Sequence, residues 1–292
     1  MAILLIHGGA GTFTEASSER YRAGLKAAAD AGYATLTTGG SALDAVLAAV
    51  TSMEANPEAF NAGVGGAMTR SGRVELDACV MLSDGSVGAV GGVRASRNPV
   101  RLANLVRTTT PHVLLVGEET DPVDNEALKS PRSRAEYDRW LATHGGPAGT
   151  GTVGAVALAD DGTIAAATST GGRVGQYDGR IGDTPIPGAG TWADVNVGVS
   201  GTGIGEAFMR TVACKSLGDD LATGVSMEVA ITTALAGLVT ADGYGGFIVV
   251  AADGRLGYGF NTPAMAYAVR APGVSEQDLT YDAGVRVLSA VA

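Results

Sequence analysis

The sequence is poor in cysteine, histidine, positive charge and long apolar runs, and each shortage excludes something. Its only cysteines, Cys79 and Cys214, are too few and too far apart for a disulfide framework, so a reducing compartment is the simpler expectation. The three histidines, His7, His112 and His144, share no metal-ligand spacing and read as structural or solvated side chains. Lys and Arg number 20 against 30 Asp and Glu, a net charge of −10, which argues against broad nucleic-acid binding. An anionic substrate remains open, because one placed Arg is enough. No apolar run approaches the ~18 residues of a membrane span, and the short apolar start Met1–Ile6 lacks a basic leader. A cytoplasmic protein with no membrane and no nucleic-acid partner is expected. None of Lys26, Lys129 and Lys215 follows a glycine, which excludes a P-loop, and there is no G-x-S-x-G elbow. Gly201-Thr-Gly203-Ile-Gly205 precedes a predicted helix and can cradle an anion, but it lacks dinucleotide-binding spacing.

Glycine is abundant, 44 of 292 residues, without a three-residue period. With 46% hydrophobic and 17% charged residues the chain is globular and long enough to bury its own core. Ile3–Ile6 reads as a buried strand, followed by a helix from Ser18 to Leu36 and a second one capped by Ser41. A loop rich in Asn, Pro and Gly runs from Glu54 to Gly66. Asp-Gly turns join Val74–Leu82 to Val87–Val93, Val153–Ala159 to Ile164–Thr170, and Phe247–Ala251 to Leu256–Phe260. Asn98-Pro99 opens a helix over Val100–Arg107, and Ser133-Arg-Ala-Glu136 fits a capping box for a helix to Thr143. Further helices are predicted over Gly205–Leu217 and Val225–Leu238. The segment from His144 to Gly151 is small and polar, and reads as a flexible connection. An ordinary domain linker is one reading of it. Strand pairs on both sides, with no separate core for either half, point instead to one layered α+β sheet architecture.

The chemically informative stretch is Gly151-Thr152-Val153-Gly154, entering a strand directly from that connection. A threonine becomes a nucleophile when an adjacent amine takes its proton, and its own α-amine can do this once the chain is cut before it. That amine titrates at roughly 7.7–8.0, near working pH. Taken alone, the stretch is first of all a plain strand start. Other segments change the balance. Ala167-Thr-Ser-Thr-Gly-Gly172 brings hydroxyls to the far end of the same hairpin. Gly179-Arg-Ile-Gly-Asp183 sets a cation and an anion three residues apart, suited to the two charged ends of an amino acid or to a surface ion pair. Ser200-Gly-Thr-Gly-Ile-Gly-Glu206 offers donors for an oxyanion at a helix start, or a closely packed turn.

In family order, these blocks resemble the plant-type L-asparaginase / isoaspartyl peptidase family of N-terminal-nucleophile hydrolases. The matching blocks of the first half are IHGGAG (6–11), NPEAFNAGVGGAM (56–68), GRVELDACVM (72–81), NPVRLANLV (98–106) and TPHVLLVGE (110–118). Those of the second half are GTVGAVAL (151–158), ATSTGG (167–172), GRIGDTPIPGAGTWAD (179–194), SGTGIGE (200–206) and FNTPAM (260–265). The resemblance runs from Ile3 to Tyr267. The tail beyond, with Ser275-Glu-Gln-Asp-Leu279, carries no readable signal.

The resemblance implies a single four-layer αββα sandwich over 1–292 and a precursor that cuts itself between Gly151 and Thr152, leaving an α chain of 1–151 and a β chain of 152–292. Such αβ units pair as a homodimer in the family. Thr152 would be the nucleophile, with Thr170 its hydrogen-bonded partner and Thr168 a further neighbour. Thr202 and Gly203 would form the oxyanion hole. Arg180 would bind the substrate α-carboxylate and Asp183 its α-ammonium, with Gly205 in the same loop. Asn61 would reach the site from the α chain, and Gly9 matches a glycine linked to processing. The substrate would be L-asparagine or an isoaspartyl dipeptide, cleaved to release L-aspartate with no catalytic cofactor. A structural sodium ion is implied on the backbone carbonyls of Glu54, Ala55, Pro57, Phe60, Ala62 and Val64, a chemically reasonable set of hard oxygen donors. Two alternatives remain: a glycosylasparaginase-like hydrolase with the same machinery, and an uncut, non-catalytic binding homologue.

Overall fold

The computed structural model describes residues 1–117, 123–143, 151–280 and 283–290. In chain order the first half contains β1 (Ile3–Gly11), α1 (Glu15–Thr37), α2 (Ala42–Glu54), β2 (Leu76–Leu82), β3 (Val87–Val93), α3 (Pro99–Thr109), β4 (Leu114–Val116) and α4 (Pro131–Ala142). The second half contains β5 (Val153–Leu158), β6 (Ile164–Thr170), β7 (Thr191–Ala193), β8 (Val197–Gly203), α5 (Gly205–Thr211), α6 (Ala213–Ala222), α7 (Met227–Thr240), β9 (Gly245–Ala251), β10 (Arg255–Phe260), β11 (Ala264–Ala271), β12 (Val274–Thr280) and β13 (Gly284–Ser289). The chain is a mixed α+β fold. One sheet has eight strands, ordered β12-β11-β1-β5-β6-β2-β3-β4, and the other has five, ordered β13-β10-β9-β8-β7.

The run Ile3-Leu-Leu-Ile6 lies in an interior strand of the larger sheet, between β11 and β5, and is buried on both faces. Alternate side chains point to opposite faces of a strand. Leu4 and Ile6 accordingly pack with Leu25, Val46, Val50 and Met53 of the helices α1 and α2. Ile3 and Leu5 pack with Val156 and Ile164 of their own sheet and with Ile248, Val250 and Phe260 of the smaller sheet. A third apolar cluster lies where Val199, Phe247 and Val249 meet Phe208, Leu217, Ile231 and Leu238 of α5–α7. Truncating any one of these fully buried Leu or Ile side chains to Ala costs about 2–5 kcal/mol.

All three Asp-Gly hairpins form antiparallel pairs, β2–β3, β5–β6 and β9–β10. Ser41 caps α2 as expected, accepting from the Asp44 N–H at 3.1 Å while Asp44 Oδ2 accepts from the Ser41 N–H at 3.2 Å. Several boundaries differ from the expectations. Helix α1 starts at Glu15, a turn before Ser18, because Thr14 and Ser17 bond across its first turn. Helix α4 starts at Pro131 with Ser130 as its cap, so Ser133 closes the capping box instead of opening it. The helix expected over Gly205–Leu217 breaks at Val212, whose φ is +48°. That break turns the first N–H groups of α6 onto a loop: Lys215 donates to the Gly188 carbonyl at 2.8 Å and Cys214 to that of Ala189 at 3.3 Å. The unreadable tail supplies an edge strand to each sheet, β12 beside β11 and β13 beside β10. The expected flexible connection lies outside the described residues from His144 to Thr150.

Candidate active site

Three strand ends bring the candidate residues together. Thr152 immediately precedes β5, Thr170 ends β6, and Gly203 ends β8. Strands β5 and β6 are neighbours in the larger sheet, and β8 packs against both from the smaller one. Thr152 is buried, and its Oγ1 donates to Thr170 Oγ1 at 3.1 Å. The Thr170 hydroxyl in turn donates to the Gly151 carbonyl at 2.9 Å and accepts from the Gly172 N–H at 3.0 Å. Asn61 Nδ2 donates to the same Gly151 carbonyl at 3.0 Å and to that of Gly172 at 2.8 Å. Its Oδ1 accepts from the Ala67 N–H at 2.7 Å, which sets the amide's orientation. The carbonyl ahead of Thr152 therefore receives two hydrogen bonds from neutral donors.

The backbone around this carbonyl needs glycine. A Cβ on Gly151 would lie 2.8 Å from Asn61 Cβ, so a side chain there would displace the amide. Gly9 has φ of +113°, a left-handed conformation that side chains avoid, and lies against Gly151 and the Thr152 backbone.

A small solvent-connected pocket, with a cavity volume of only about 10 Å³, opens beside Thr152, lined by Thr170, Arg180, Asp183, Gly203 and Gly205 among others. Arg180 is not paired with Asp183. Its Nε and Nη2 both donate to Glu206 Oε1, at 3.1 and 3.0 Å, and its Nη1 reaches Gln176 Oε1 at 3.3 Å. Asp183 is buried, and its Oδ2 makes no hydrogen bond among the described residues. Burial pushes its carboxyl up to about 7, although the neighbouring Arg180 pulls the other way. Gly205 keeps the space beside Asp183 Oδ1 and Arg180 open: a Cβ there would lie 2.6 Å from Asp183 Oδ1 and 2.8 Å from Arg180 Nη2. The Thr202 hydroxyl is also buried without a partner among the described residues.

Other groups in and around this site were not foreseen. Glu206 and Gln176 hold Arg180. Asp77 anchors the 179–183 loop by accepting from the Gly182 and Gly92 N–H groups, each at 2.9 Å, and burial raises its carboxyl to about 6. Gln176 lies only four residues from Arg180, whereas Glu206 and Asp77 come from 26 and 105 positions away. Thr168 does not join Thr152. It lies two residues deeper on β6 and bonds to Ser200 Oγ and Thr191 Oγ1, each at 2.7 Å. Ser200 Oγ continues to His7 Nε2 at 2.9 Å. Gly154 makes room for that last bond, since a Cβ there would overlap both groups. Burial drives the His7 imidazole down to about 3, against a weaker opposing pull from the Thr152 backbone, so the ring is neutral. This fits the structural role expected for it. His112 is exposed, and His144 lies outside the described residues.

The carbonyls assigned to sodium are partly engaged already. Pro57 and Phe60 accept from Arg132, each at 2.7 Å, and Glu54 accepts from the Val64 N–H at 3.0 Å. Among the described residues no cluster of three His, Cys, Asp or Glu side chains is placed to hold a metal. No helix of the described residues is long and apolar enough to cross a membrane. Both cysteines are buried and unpaired.

Comparison with known proteins bears directly on this arrangement. A family model described as Asparaginase matches residues 1–128 and 122–278. The chain is 39% identical to an isoaspartyl peptidase/L-asparaginase of Danio rerio, over 94% of this chain and 93% of that protein. It is 39% identical to an isoaspartyl peptidase of Escherichia coli K12, over 90% and 91% of the two chains. It is 37% identical to a plant-type L-asparaginase of Thermococcus kodakarensis, over 95% and 99%. With matches over nearly its whole length and glycines fitted around Gly151, Asn61, Arg180 and Asp183, the chain belongs to the asparaginase family.

Proposed function

We propose that this protein is a self-processing amidohydrolase that cleaves the β-amide of L-asparagine and of isoaspartyl dipeptides. The supporting observation is the double donation to the Gly151 carbonyl, from Thr170 Oγ1 and Asn61 Nδ2, beside a Thr152 hydroxyl bonded to Thr170. In the precursor, Thr152 Oγ1 attacks that carbonyl carbon. The two donors stabilise the oxyanion, the peptide C–N bond breaks, and an ester joins Gly151 to Thr152 Oγ1. The Oγ1 proton passes to the departing nitrogen, which becomes the free α-amine, and water then hydrolyses the ester to the Gly151 carboxylate and the Thr152 hydroxyl. One donor of this kind is worth about 2.7–4 kcal/mol of barrier.

In the mature enzyme the freed amine takes the proton from Thr152 Oγ1, which attacks the substrate side-chain amide. Thr202 and the Gly203 N–H receive the developing oxyanion. The protonated amine returns its proton to the leaving amine, and water then releases L-aspartate from the β-aspartyl ester. Arg180 takes the α-carboxylate, displacing Glu206 from part of its fork, and the Asp183 carboxylate takes the α-ammonium. In this reading the two sheets and flanking helices form the four-layer αββα sandwich of N-terminal-nucleophile hydrolases. The unit is a single domain whose α chain (1–151) and β chain (152–292) stay together, with Gly9 as the processing switch. Such units act as homodimers in the cytoplasm. The names of the relatives from Danio rerio and Escherichia coli support isoaspartyl dipeptides as substrates.

The test is the intact mass of the purified chain after prolonged incubation, with N-terminal sequencing of any fragments. A new terminus beginning Thr-Val-Gly-Ala, absent from Thr152→Ala, is the expected result. A persistent single chain, or a Thr152→Ala protein that hydrolyses isoaspartyl dipeptides, would overturn the proposal. Faster turnover of a sugar-bearing asparagine than of either proposed substrate would favour a glycosylasparaginase.

A further inference from the structure

Besides its backbone hydrogen bonds, the loop that carries Asn61 gives three of its carbonyls to one guanidinium. Arg132 stands at the second position of α4. Its Nε donates to the Pro57 carbonyl at 2.7 Å, and its Nη2 donates to the carbonyls of Phe60 and Gly65, both at 2.7 Å. Its Nη1 donates to both oxygens of Glu136, each at 2.9 Å. A guanidinium has five N–H groups in a rigid fork. Here each of the five has an acceptor, and the side chain is only 15% exposed. Nothing in the chain's local pattern marks this residue, because its carbonyl partners lie 67 to 75 positions away.

Three carbonyl oxygens converging on one positive centre is the donor set of a hard cation. Here that cation is covalently part of the chain. Two of its carbonyls, Pro57 and Phe60, belong to the set that the family resemblance assigns to sodium. A sodium ion ligated by them would sit against a fixed, fully bonded positive charge. The residues present therefore do not fit sodium at those carbonyls.

We propose that Arg132 is the resident cation of the 54–66 loop, taking the place of an exchangeable metal ion and positioning Asn61. The route is short. The Phe60 carbonyl and the Asn61 N–H belong to one planar peptide unit, so holding one orients the other. Asn61 then delivers its Nδ2 to the Gly151 carbonyl. Arg132 is a positioning residue, since it touches neither Thr152 nor the cavity lining given above. Because Arg132 itself belongs to α4, and Glu136 one turn on fixes its guanidinium, these bonds also tie the loop to the last described element before the proposed cleavage site.

The test compares melting of the full chain in sodium chloride and in choline chloride at equal ionic strength. The wild-type midpoint is the same in both salts. Arg132→Met melts several degrees lower in choline chloride and regains stability with sodium or with low-millimolar guanidinium. This arm reads folding, so it stands whether or not the chain proves to be a hydrolase. An activity arm rests on the function proposed above: Arg132→Met slows self-cleavage and lowers kcat more than tenfold with KM little changed, and Arg132→Lys restores part of both. Three results would overturn the proposal. One is a wild-type midpoint raised by sodium over choline. The second is an Arg132→Met protein as stable as wild type. The third is a destabilised variant that responds to neither cation. If Arg132→Met does not fold, Arg132→Lys takes its place, and a midpoint equal to wild type in that variant would count against the proposal.

Discussion

The two ends of the site are built from different chemistry. Around Thr152 the groups that bond are neutral: two threonine hydroxyls, the Asn61 amide and backbone N–H groups. A few residues away they are charged: Arg180, Asp183 and Glu206, with Asp77 behind them. On the proposed function, the difference follows from what each end has to bind. A peptide carbonyl becomes an oxyanion only in passing, and neutral donors stabilise it without a permanent buried charge. An amino-acid substrate brings a full positive and a full negative charge, and only countercharges offset the cost of removing them from water. On the proposed function, the neutral end serves both self-cleavage and turnover, whereas the charged end serves turnover alone.

The largest effect should come from the neutral end. Thr170→Val leaves the Gly151 carbonyl with one side-chain donor and Thr152 Oγ1 without its acceptor. Self-cleavage and the turnover of any cleaved fraction should both slow by roughly 10²–10³-fold. Cleavage followed by mass, alongside steady-state kinetics, checks this. Normal cleavage with impaired turnover would mean that the two reactions do not share this end.

Arg180→Met sharpens the comparison from the other side. Processing should proceed at the wild-type rate, while kcat/KM for an isoaspartyl dipeptide falls by roughly 10²-fold, as when one partner of a buried charge pair is truncated. If Arg180→Met blocks cleavage, the charged end has a part in processing and the division fails.

How much of this was legible in the sequence also follows the division. At the neutral end Thr152, Thr170 and Gly151 could be read, because they sit at the two ends of one Asp-Gly hairpin, where local pattern and spatial neighbourhood coincide, whereas Asn61, 90 positions from Gly151, came only through the family resemblance. The charged end could be read only in part. Arg180 and Asp183 share a short segment, but Glu206, which accepts from Arg180, and Asp77, which accepts from the Gly182 N–H between them, arrive from 26 and 105 positions away. Thr168, which the family resemblance implies as a further neighbour of Thr152, shares a face of β6 with Thr170. Two residues along a strand is a shift of about 6–7 Å, enough to place it in the Ser200–His7 chain instead. The helix break at Val212 was hidden because its cause is a distant loop, whose Gly188 and Ala189 carbonyls take the first N–H groups of α6. The strands after Tyr267 were missed because an edge strand with one exposed side lacks the apolar run of a central one.

A pH profile tests the charged end without a bulk change. The Asp183 carboxyl, raised to about 7 by burial, must be ionised to hold an ammonium group. The freed Thr152 amine, at roughly 7.7–8.0, must be unprotonated to act as base. Two groups must therefore lose protons, and the acid limb of log kcat/KM should reach a limiting slope of two well below pH 7. Asp183→Asn lowers the plateau and reduces that slope to one. An unchanged slope in Asp183→Asn would remove Asp183 from substrate binding.

The smallest predicted effect concerns why the neutral end stays neutral. On the opposite face of β6 from Thr170, Ser169 Oγ donates to Glu54 Oε1 at 2.7 Å, and the Val100 N–H donates to the same oxygen at 3.0 Å. Glu54 is fully buried, and burial raises its carboxyl to about 8 against the weaker pull of those two bonds, so it is largely protonated at neutral pH. A carboxylate there would put a full negative charge one strand position from the Thr170 hydroxyl. The folded chain holds the Glu54 proton between the unfolded value of 4.5 and about 8, so the stability this group contributes is complete below 4.5 and is lost as pH rises through 8. The limit for one such proton is about 1.4 kcal/mol per pH unit. Glu54→Gln keeps an acceptor for Ser169 and Val100 and has no proton to lose. Its melting midpoint should fall less steeply than wild type between pH 6 and 9, while cleavage near pH 6 stays within about twofold. Identical slopes would mean that Glu54 is ionised in the folded chain, and that the neutral end tolerates a buried charge directly behind it.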